Sequence, residues 1–238
     1  MYYAKQNKAS REKEMKKASQ ISESIEIGIL LAAAGGFMDA YSYIQRGGVF
    51  ANAQTGNILL LGLSLSEGKF SSVIQYLFPI LAFVIGIALS DVIHNKQLKY
   101  LHWRQVSILS ESLILAAVAF IPLTMNFLAN ALISFSCGIQ AESFRKVHGK
   151  GVATTVCTGN LKSGVENLCA YFQSGNKHNL KSSLLYFSMI FFFIAGAIAG
   201  SLLIRQYDIY SIIFCAAIQF TAFLIMFIDR EKRKSICR

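Results

Sequence analysis

Residues 49–57 read VFANAQTGN, and residues 152–160 read VATTVCTGN. Each stretch opens with residues that favour extended chain and passes through Thr-Gly-Asn into a run with helical periodicity, at 49–66 and 152–173. Thr and Asn are good N-cap residues, and Gly permits backbone conformations that other residues resist. We therefore expect two extended segments that each lead into a short helix.

The similarity of the two stretches extends along the chain. A shift of 103 residues without gaps gives six identities in the 23 positions from Gly35 to Asn57 and places Asp39 on Glu142. After the short helix a shift of 110 aligns five more positions, which are Ser72, Tyr76, Ile80, Phe83 and Gly86 with Ser182, Tyr186, Ile190, Phe193 and Gly196. Their spacing follows one face of a helix, so chance matches are a poor explanation. The sequence predicts two internal repeats, at about 25–122 and 127–229.

Composition places the chain in a membrane. Of the 238 residues, 54% are hydrophobic and 15% are charged, whereas an ordinary soluble domain has about 25% charged residues. Since a span needs about 20 mostly apolar residues, six runs qualify, near 25–46, 72–93, 105–122, 127–147, 182–204 and 209–229. We expect one membrane domain at 25–229 between a basic arm at 1–24 and a basic tail at 230–238.

The basic residues indicate the topology. If the short segments enter the membrane and return on the same side, the chain has six spans, and only Arg46, Lys69 and Arg205 of its 23 lysines and arginines face outward. If they cross fully, there are eight spans, and the count without Lys162 is fourteen inside and eight outside. Because basic residues stay in the cytoplasm, the first arrangement is favoured. It makes the halves opposite in direction, as in many transporters.

The expected fold is therefore an all-α membrane protein with six transmembrane helices and two re-entrant half-helices, arranged as two inverted-topology repeats. Both termini are expected in the cytoplasm. Eight spans with parallel repeats remain the alternative.

Three motifs together resemble the YoaK-like family of small bacterial integral membrane proteins, over most of the chain beyond the basic arm. They are Gly35-Gly36-Phe37-Met38-Asp39-Ala40, Gly47-Gly48-Val49-Phe50 and Gln54-Thr55-Gly56-Asn57. The resemblance implies a multi-pass protein of the bacterial inner (plasma) membrane. It implies no activity, so the functional case depends on the residues.

The starts of the two short helices form the candidate binding site. Irregular backbone at membrane depth is tolerated only inside protein or beside water. Free N–H groups and the helix dipole make such a start locally positive. Two of them that enter from opposite sides would meet near the midplane and hold a small solute. The predicted lining is Gln54, Thr55, Gly56, Asn57, Thr158, Gly159 and Asn160. The alternative is that Thr and Asn only cap their own helices.

Asp39 and Glu142 join this candidate set because they hold equivalent positions within spans. A carboxylate at that depth is costly and suggests a function by default. It could carry a proton or neutralise a cationic solute. The structural alternative is that it binds the positive end of a neighbouring short helix. Coupling of transport to protons is therefore left open.

Four other charged residues are candidates for accessory roles. Arg145 follows Glu142 by three residues on the same helix face, and Lys162 and Glu166 lie four apart in the second short helix. The alternative for Arg145 is that it only anchors a loop, and the alternative for Lys162 and Glu166 is that they only satisfy each other. Glu111, inside the third span, is either a relay group or a partner for neighbouring helices.

No cofactor, metal site or disulfide framework is expected, because the five cysteines form no C-x-x-C pair and the four histidines show no ligand spacing. The net charge of +10 fits cytoplasmic loops better than nucleic-acid binding. The expected partners are a small solute or ion and membrane lipids, and the small residues at 196–200 leave a homodimer open.

The leading hypothesis is a transporter or channel for a small polar or charged solute, and not an enzyme. One alternative is a structural or regulatory membrane protein that makes contact through its basic arm. The other is an intramembrane enzyme, which would need a nucleophile within reach of a base. No Ser–His or Cys–His motif stands out in the sequence.

Overall fold

The computed structural model describes residues 24–94, 103–147 and 150–227, most of which are helical. The helices are α1 Ile25–Gln45, α2 Gln54–Ser66, α3 Phe70–His94, α4 Trp103–Val118, α5 Asn126–Ser143, α6 Cys157–Ser174, α7 Lys177–Tyr207 and α8 Ile212–Ile225. Short 3-10 turns at Leu123–Met125 and Asp208–Ser211 precede α5 and α8, and two-residue strands β1 Lys146–Val147 and β2 Lys150–Gly151 pair antiparallel. The basic tail and all but Ser24 of the basic arm lie outside the described residues.

The helices follow the sequence pattern closely. The six predicted spans correspond to α1, α3, α4, α5, α7 and α8, and the two short segments correspond to α2 and α6. The helix starts differ in detail from the expected capping. Both short helices begin before the Thr, at Gln54 and Cys157, and their N-cap positions are Ala53 and Val156, whose side chains carry no hydrogen-bond acceptor.

Three stretches are long and apolar enough to cross a membrane, namely Ile25–Gln45, Phe70–His94 and Lys177–Ile225. The last of these stretches joins α7 and α8, whereas α4 has 16 residues and α8 by itself has 14. At 1.5 Å per residue they rise about 24 and 21 Å, less than the roughly 30 Å of a hydrocarbon core. The number of crossings therefore stays a prediction.

The helices pack in pairs. α1 lies along α7 and α3 along α5, while α2 covers part of α3 and α6 covers part of α7. Glycine allows the α1–α7 crossing, because a methyl group at Gly36 would collide with the carbonyl oxygen of Phe193, and one at Gly196 with that of Ala33. The small-residue run at 196–200 thus contributes to packing within the chain.

The crossing of α3 and α5 is built in the same way. A methyl group at Gly86 would collide with the carbonyl oxygen of Phe135 in α5, and one at Gly138 with that of Phe83 in α3. In both crossings each helix contributes one glycine to the contact. The backbones can approach closely only because these side chains are absent.

The core lies around α1, and the surface is apolar. Buried residues of α1, α4, α5, α7 and α8 form the largest cluster, which includes Phe37, Met38, Leu115, Ile133 and Ile212. The outer helices α3 and α7 instead expose many large apolar side chains, among them Ile74, Leu81, Ile85, Phe191, Ile198 and Leu202. An exposed apolar surface of this kind suits contact with lipid.

Candidate functional site

A cavity of about 550 Å³ lies where the segments before α2 and α6 approach each other. From the first half it is lined by Asp39, Ala40, Tyr43, Ile44, Phe50, Asn52, Ala53, Gln54, Thr55 and Phe83. From the second half it is lined by Thr155, Val156, Cys157, Thr158 and Phe193. We call this space the central cavity. It brings together the starts of both short helices and one phenylalanine from each of the outer helices.

Four of the predicted site residues line the central cavity, namely Asp39, Gln54, Thr55 and Thr158. The other predicted residues of these first helical turns do not line the cavity, namely Gly56, Asn57, Gly159 and Asn160. Thr55 and Thr158 are exposed, whereas Asn57 and Asn160 are buried. The threonines can therefore meet a ligand, and the asparagines have another role.

Each asparagine holds the segment that precedes its own helix. The Asn57 amide donates to the carbonyl of Phe50 at 2.7 Å and accepts from its N–H at 3.0 Å. Asn160 makes the same two bonds to Ala153, at 2.5 and 3.2 Å. We call each arrangement an Asn clamp. The clamps fold the extended segments back on the first helical turns, so they replace the side-chain caps that the sequence led us to expect.

Asp39 reaches the central cavity from α1 and is 8% exposed. Its Oδ1 accepts a hydrogen bond from the Asn52 N–H at 2.7 Å, and the backbone amides of Ala51 and Ala53 lie close to the same carboxyl group. The Asn52 side chain donates to the carbonyl of Gly35 at 3.0 Å. Asp39 thus fixes the segment before α2 and also presents a carboxyl group to the cavity.

The remaining wall is mostly apolar and aromatic. Phe50, Phe83 and Phe193 provide ring surfaces, and Tyr43 adds another. Gln54 is engaged locally, since its amide donates to the Ala51 carbonyl at 2.8 Å and accepts from Asn57 at 2.9 Å. The polar groups left for a ligand are the Asp39 carboxyl group, the Asn52 side-chain oxygen, the Cys157 thiol and the threonine hydroxyls, beside two positive helix ends.

Glu142 lies in a different place. It lines a smaller cavity of about 280 Å³ with His94, Trp103, Arg104, Ser143, Arg145 and Lys146, and it forms an ion pair with Arg145. The structure therefore does not bring Glu142 and Asp39 together. The reason is helix length, because α5 ends at Ser143, directly after Glu142, whereas α1 continues for six residues beyond Asp39.

The other accessory candidates also lie outside the central cavity. Lys162 and Glu166 pair with each other at 3.8 Å on the exposed face of α6. Glu111 is fully buried between α4 and α8, where it accepts from the Gln219 side chain at 3.1 Å. Among the described residues, no group of three or more His, Cys, Asp or Glu side chains is placed so that it could hold a metal ion.

Arg46 is the main residue whose contacts the sequence did not reveal. The sequence predicts it on the outer side of the membrane, and in the structure its side chain is fully buried. Its guanidinium group donates to the Tyr41 hydroxyl at 2.8 Å, to the Val118 carbonyl at 3.1 Å, and to Pro122 and Asn126 at 3.3 Å. It thereby satisfies carbonyl groups beyond the end of α4, where a cation is favourable. The signal available in the sequence was a lone Arg next to a long apolar helix.

Two glutamines inside spans were also missed. Gln140 in α5 donates to the hydroxyl of Thr154 at 3.2 Å, and Gln219 in α8 donates to Gln140 at 2.8 Å. Both are fully buried. An amide within an apolar helix is itself a signal, since a polar group in lipid needs a partner.

Comparison with known proteins gives a family but no activity. The model of a family described as "Protein of unknown function (DUF1275)" matches residues 27–226. The chain is also similar to the UPF0700 transmembrane protein YoaK of Bacillus subtilis (strain 168), with 29% identity over 187 residues, which cover 73% of this chain and 80% of that protein. No solved structure matches it.

The relative is a transmembrane protein, and this chain has long apolar helices. Both findings agree with the YoaK-like resemblance that the motifs at residues 35–57 suggested. The match covers nearly the whole helical part of the chain, from the first turn of α1 to the end of α8. The chain is a membrane protein and belongs to the DUF1275 family.

Proposed function

We propose that this protein is a transporter or channel that moves a small solute through the central cavity. The observation that carries the proposal is the meeting of two short-helix starts around a space that also contains the Asp39 carboxyl group. Broken helices of transporters hold substrates and ions at such ends. A volume of about 550 Å³ lies within the range of small-molecule sites.

The packing supports two inverted repeats. If α1 to α4 correspond to α5 to α8, the contact of α1 with α7 corresponds to that of α5 with α3. The contacts of α2 with α3 and of α6 with α7 correspond in the same way, and α4 with α8 corresponds to itself. This exchange fits repeats of either relative direction, and the distribution of basic residues favours inverted ones, with six spans and two re-entrant short helices. Rocking of one half against the other would expose the cavity to each side in turn.

The lining favours a solute with a cationic group on a small apolar body. Asp39 supplies a negative charge, and the rings of Phe50, Phe83 and Phe193 can surround a cation or an alkyl group. The hydroxyl groups of Thr55 and Thr158 and the nearby helix ends can bind a second polar group. Small amines and zwitterions therefore fit better than a bare anion.

Uptake into proteoliposomes tests the proposal. The purified chain would be offered a panel of radiolabelled small amines and zwitterions. Replacing Asp39→Asn removes the charge and retains the shape, so we expect uptake of the transported solute to fall about tenfold or more, as for loss of one charge-assisted hydrogen bond. Lys162→Gln, on the exposed face of α6, is the matched control. Equal uptake by the wild type and Asp39→Asn would refute a site at Asp39.

A second experiment needs no knowledge of the solute. Cys157 lines the cavity, so it can report on access by cationic and anionic thiol reagents of equal size. We expect the cationic reagent to react faster in the wild type, and we expect Asp39→Asn to abolish that preference. A preference that survives in Asp39→Asn would argue against a cation-selective cavity.

We further propose that the protein resides in the inner membrane with both termini in the cytoplasm. The positive-inside distribution of the chain supports this orientation. Labelling of single cysteines placed at Lys69 and at Ser174 from either side of the membrane checks it. The six-span arrangement predicts that Lys69 is reached from outside and Ser174 from inside.

A further inference from the structure

The strongest unexplained group in the molecule is Glu111. It stands in the middle of α4 with no exposed surface, and its Oε2 accepts from Gln219 Nε2 at 3.1 Å. Among the described residues, its Oε1 has no hydrogen-bond partner and no basic side chain pairs with it. A carboxylate that is buried without a cation is costly. In a membrane such a group suggests a role in moving charge.

The groups around Glu111 do not supply a positive charge. The thiols of Cys137 in α5 and Cys215 in α8 lie near enough to Glu111 for an electrostatic interaction. Asp39 in α1 lies within the same range of Cys137. The helix α3 meets α4 near its start, where His94 stacks beside Trp103. The environment of Glu111 is therefore neutral or acidic.

Two acceptor atoms at this position lack donors. Besides Glu111 Oε1, the Oε1 of Gln219 is buried without a partner within the described part of the chain. The structure thus contains adjacent residues with an excess of acceptors. A proton on Glu111 turns one acceptor into a donor, and Gln219 Oε1 is an acceptor on the residue that already binds the carboxyl group.

A chain of hydrogen bonds leads from Glu111 to the central cavity. The Gln219 amide donates both to Glu111 and, at 2.8 Å, to Gln140 Oε1. Gln140 in turn donates to the Thr154 hydroxyl at 3.2 Å. The next residue, Thr155, lines the cavity, and its own hydroxyl is buried without a partner in the described structure. The chain therefore joins α4, α8 and α5 to the segment before α6.

We propose that Glu111 is a proton-binding site that is coupled to the central cavity through Gln219, Gln140 and Thr154. In this scheme a proton from water adds to the Glu111 carboxylate and gives the neutral acid, and its release restores the charge. Protonation weakens the bond from Gln219 Nε2 to the carboxylate and lets the acid donate to Gln219 Oε1, so the Gln219 amide turns and, through Gln140, alters the cavity wall at Thr154. The coupling role rests on the proposed function, but proton binding by Glu111 is measurable without any solute.

Infrared difference spectroscopy of the full chain in lipid tests proton binding. A pH titration over roughly pH 4 to 9 covers the range in which carboxyl groups titrate in proteins. We expect a carbonyl stretch of a protonated carboxyl group that is present in the wild type and absent in Glu111→Gln. Gln219→Met retains Glu111 and removes its donor, so the same band should shift. Identical spectra for the wild type and either variant would overturn the assignment.

Alkylation of Cys157 tests the coupling. The rate is compared between the wild type and Glu111→Gln at each pH, so that the titration of the thiol itself cancels in the ratio. We expect the ratio to change about fivefold or more over the titration, as for a modest coupling between sites. Gln140→Met should abolish this change while it retains the Glu111 infrared band. A pH response that persists unchanged in Gln140→Met would overturn transmission through the amide chain.

The two proposals fail separately. If no solute is transported but the Glu111 band and the Cys157 response are present, the proton site stands and the transport proposal falls. If uptake depends on Asp39 but the spectra of Glu111→Gln and the wild type are the same, transport stands and the proton site falls.

Discussion

The two segments that lead into the short helices share a framework and differ in chemistry. Both are folded back by an Asn clamp that joins residues seven positions apart, Asn57 with Phe50 and Asn160 with Ala153. In the first half the segment is held by the Asp39 carboxyl group, which also faces the cavity. In the second half the segment is held by a neutral amide, because Gln140, at the repeat position of Phe37, donates to the Thr154 hydroxyl.

If the two halves arose by duplication, as the sequence predicts, the contacts that build the cavity were retained and the groups that line it were changed. At the membrane depth that we predict for the two segments, water would not reach the backbone groups that the clamps satisfy, so both halves would need them. A charge beside the cavity is costly, and one carboxyl group suffices for the cationic solute that we propose. The exposed faces differ in the same sense, because Lys162 and Glu166 of α6 stand where α2 has Leu59 and Leu63.

The largest effect is expected at the helix crossings. Gly36→Val and Gly86→Val each place a side chain against a facing backbone, so we expect both to lower the free energy of unfolding by about 3 kcal/mol or more. Chemical unfolding of the purified protein in detergent measures this change. Gly62→Val in the short helix α2 is the control, because a side chain at Gly62 would meet no facing atom. A large loss for one crossing only would break the equivalence of the halves.

The Asn clamps come next. Asn57→Ala and Asn160→Ala each leave a partly buried N–H and carbonyl without their partner, which we expect to cost about 2–4 kcal/mol of unfolding free energy. The same unfolding titration checks this, with Asn167→Ala, a single local bond to Ser163, as the control. If one of the two substitutions left the free energy of unfolding unchanged, contacts other than the clamp would hold the segment in that half.

The acidic residues sharpen the contrast in function. We expect Asp39→Asn to reduce uptake about tenfold or more. We expect Glu142→Gln to retain uptake within about twofold, since Glu142 lies away from the central cavity and its partner Arg145 is exposed. Transport of the same solute by both variants in parallel is the measurement. Equal losses would mean that both acids act on the solute path, although they line separate cavities.

The smallest effect is expected on the exposed face of α6. Replacing Lys162→Leu and Glu166→Leu together makes this face resemble that of α2. Because the pair is exposed, the free energy of unfolding should change by less than about 0.5 kcal/mol. The unfolding titration checks this, and uptake should also be retained. A strong loss of uptake would give the pair a role outside the central cavity.

The sequence by itself determined the helices and the internal similarity. Apolar runs and helical spacing located the eight helices of the described residues to within about five residues at each end, and the shared Thr-Gly-Asn marked the starts of the two short ones. These properties are local, because periodicity and apolarity depend on neighbouring residues along the chain. Asp39, Thr55 and Thr158 could also be selected in this way, as polar groups within or beside apolar segments.

Only the tertiary structure decided which of these groups meet. Arg46 is satisfied by Val118 and Pro122, more than seventy positions away, so its burial depends on how the helices pack. Gln219 joins Glu111 and Gln140 from two other helices, and nothing local to any of them indicates the contact. Equivalence in the repeat also failed to predict equivalence in space for Glu142, because where a helix ends is set by its own packing and by the chain that follows it.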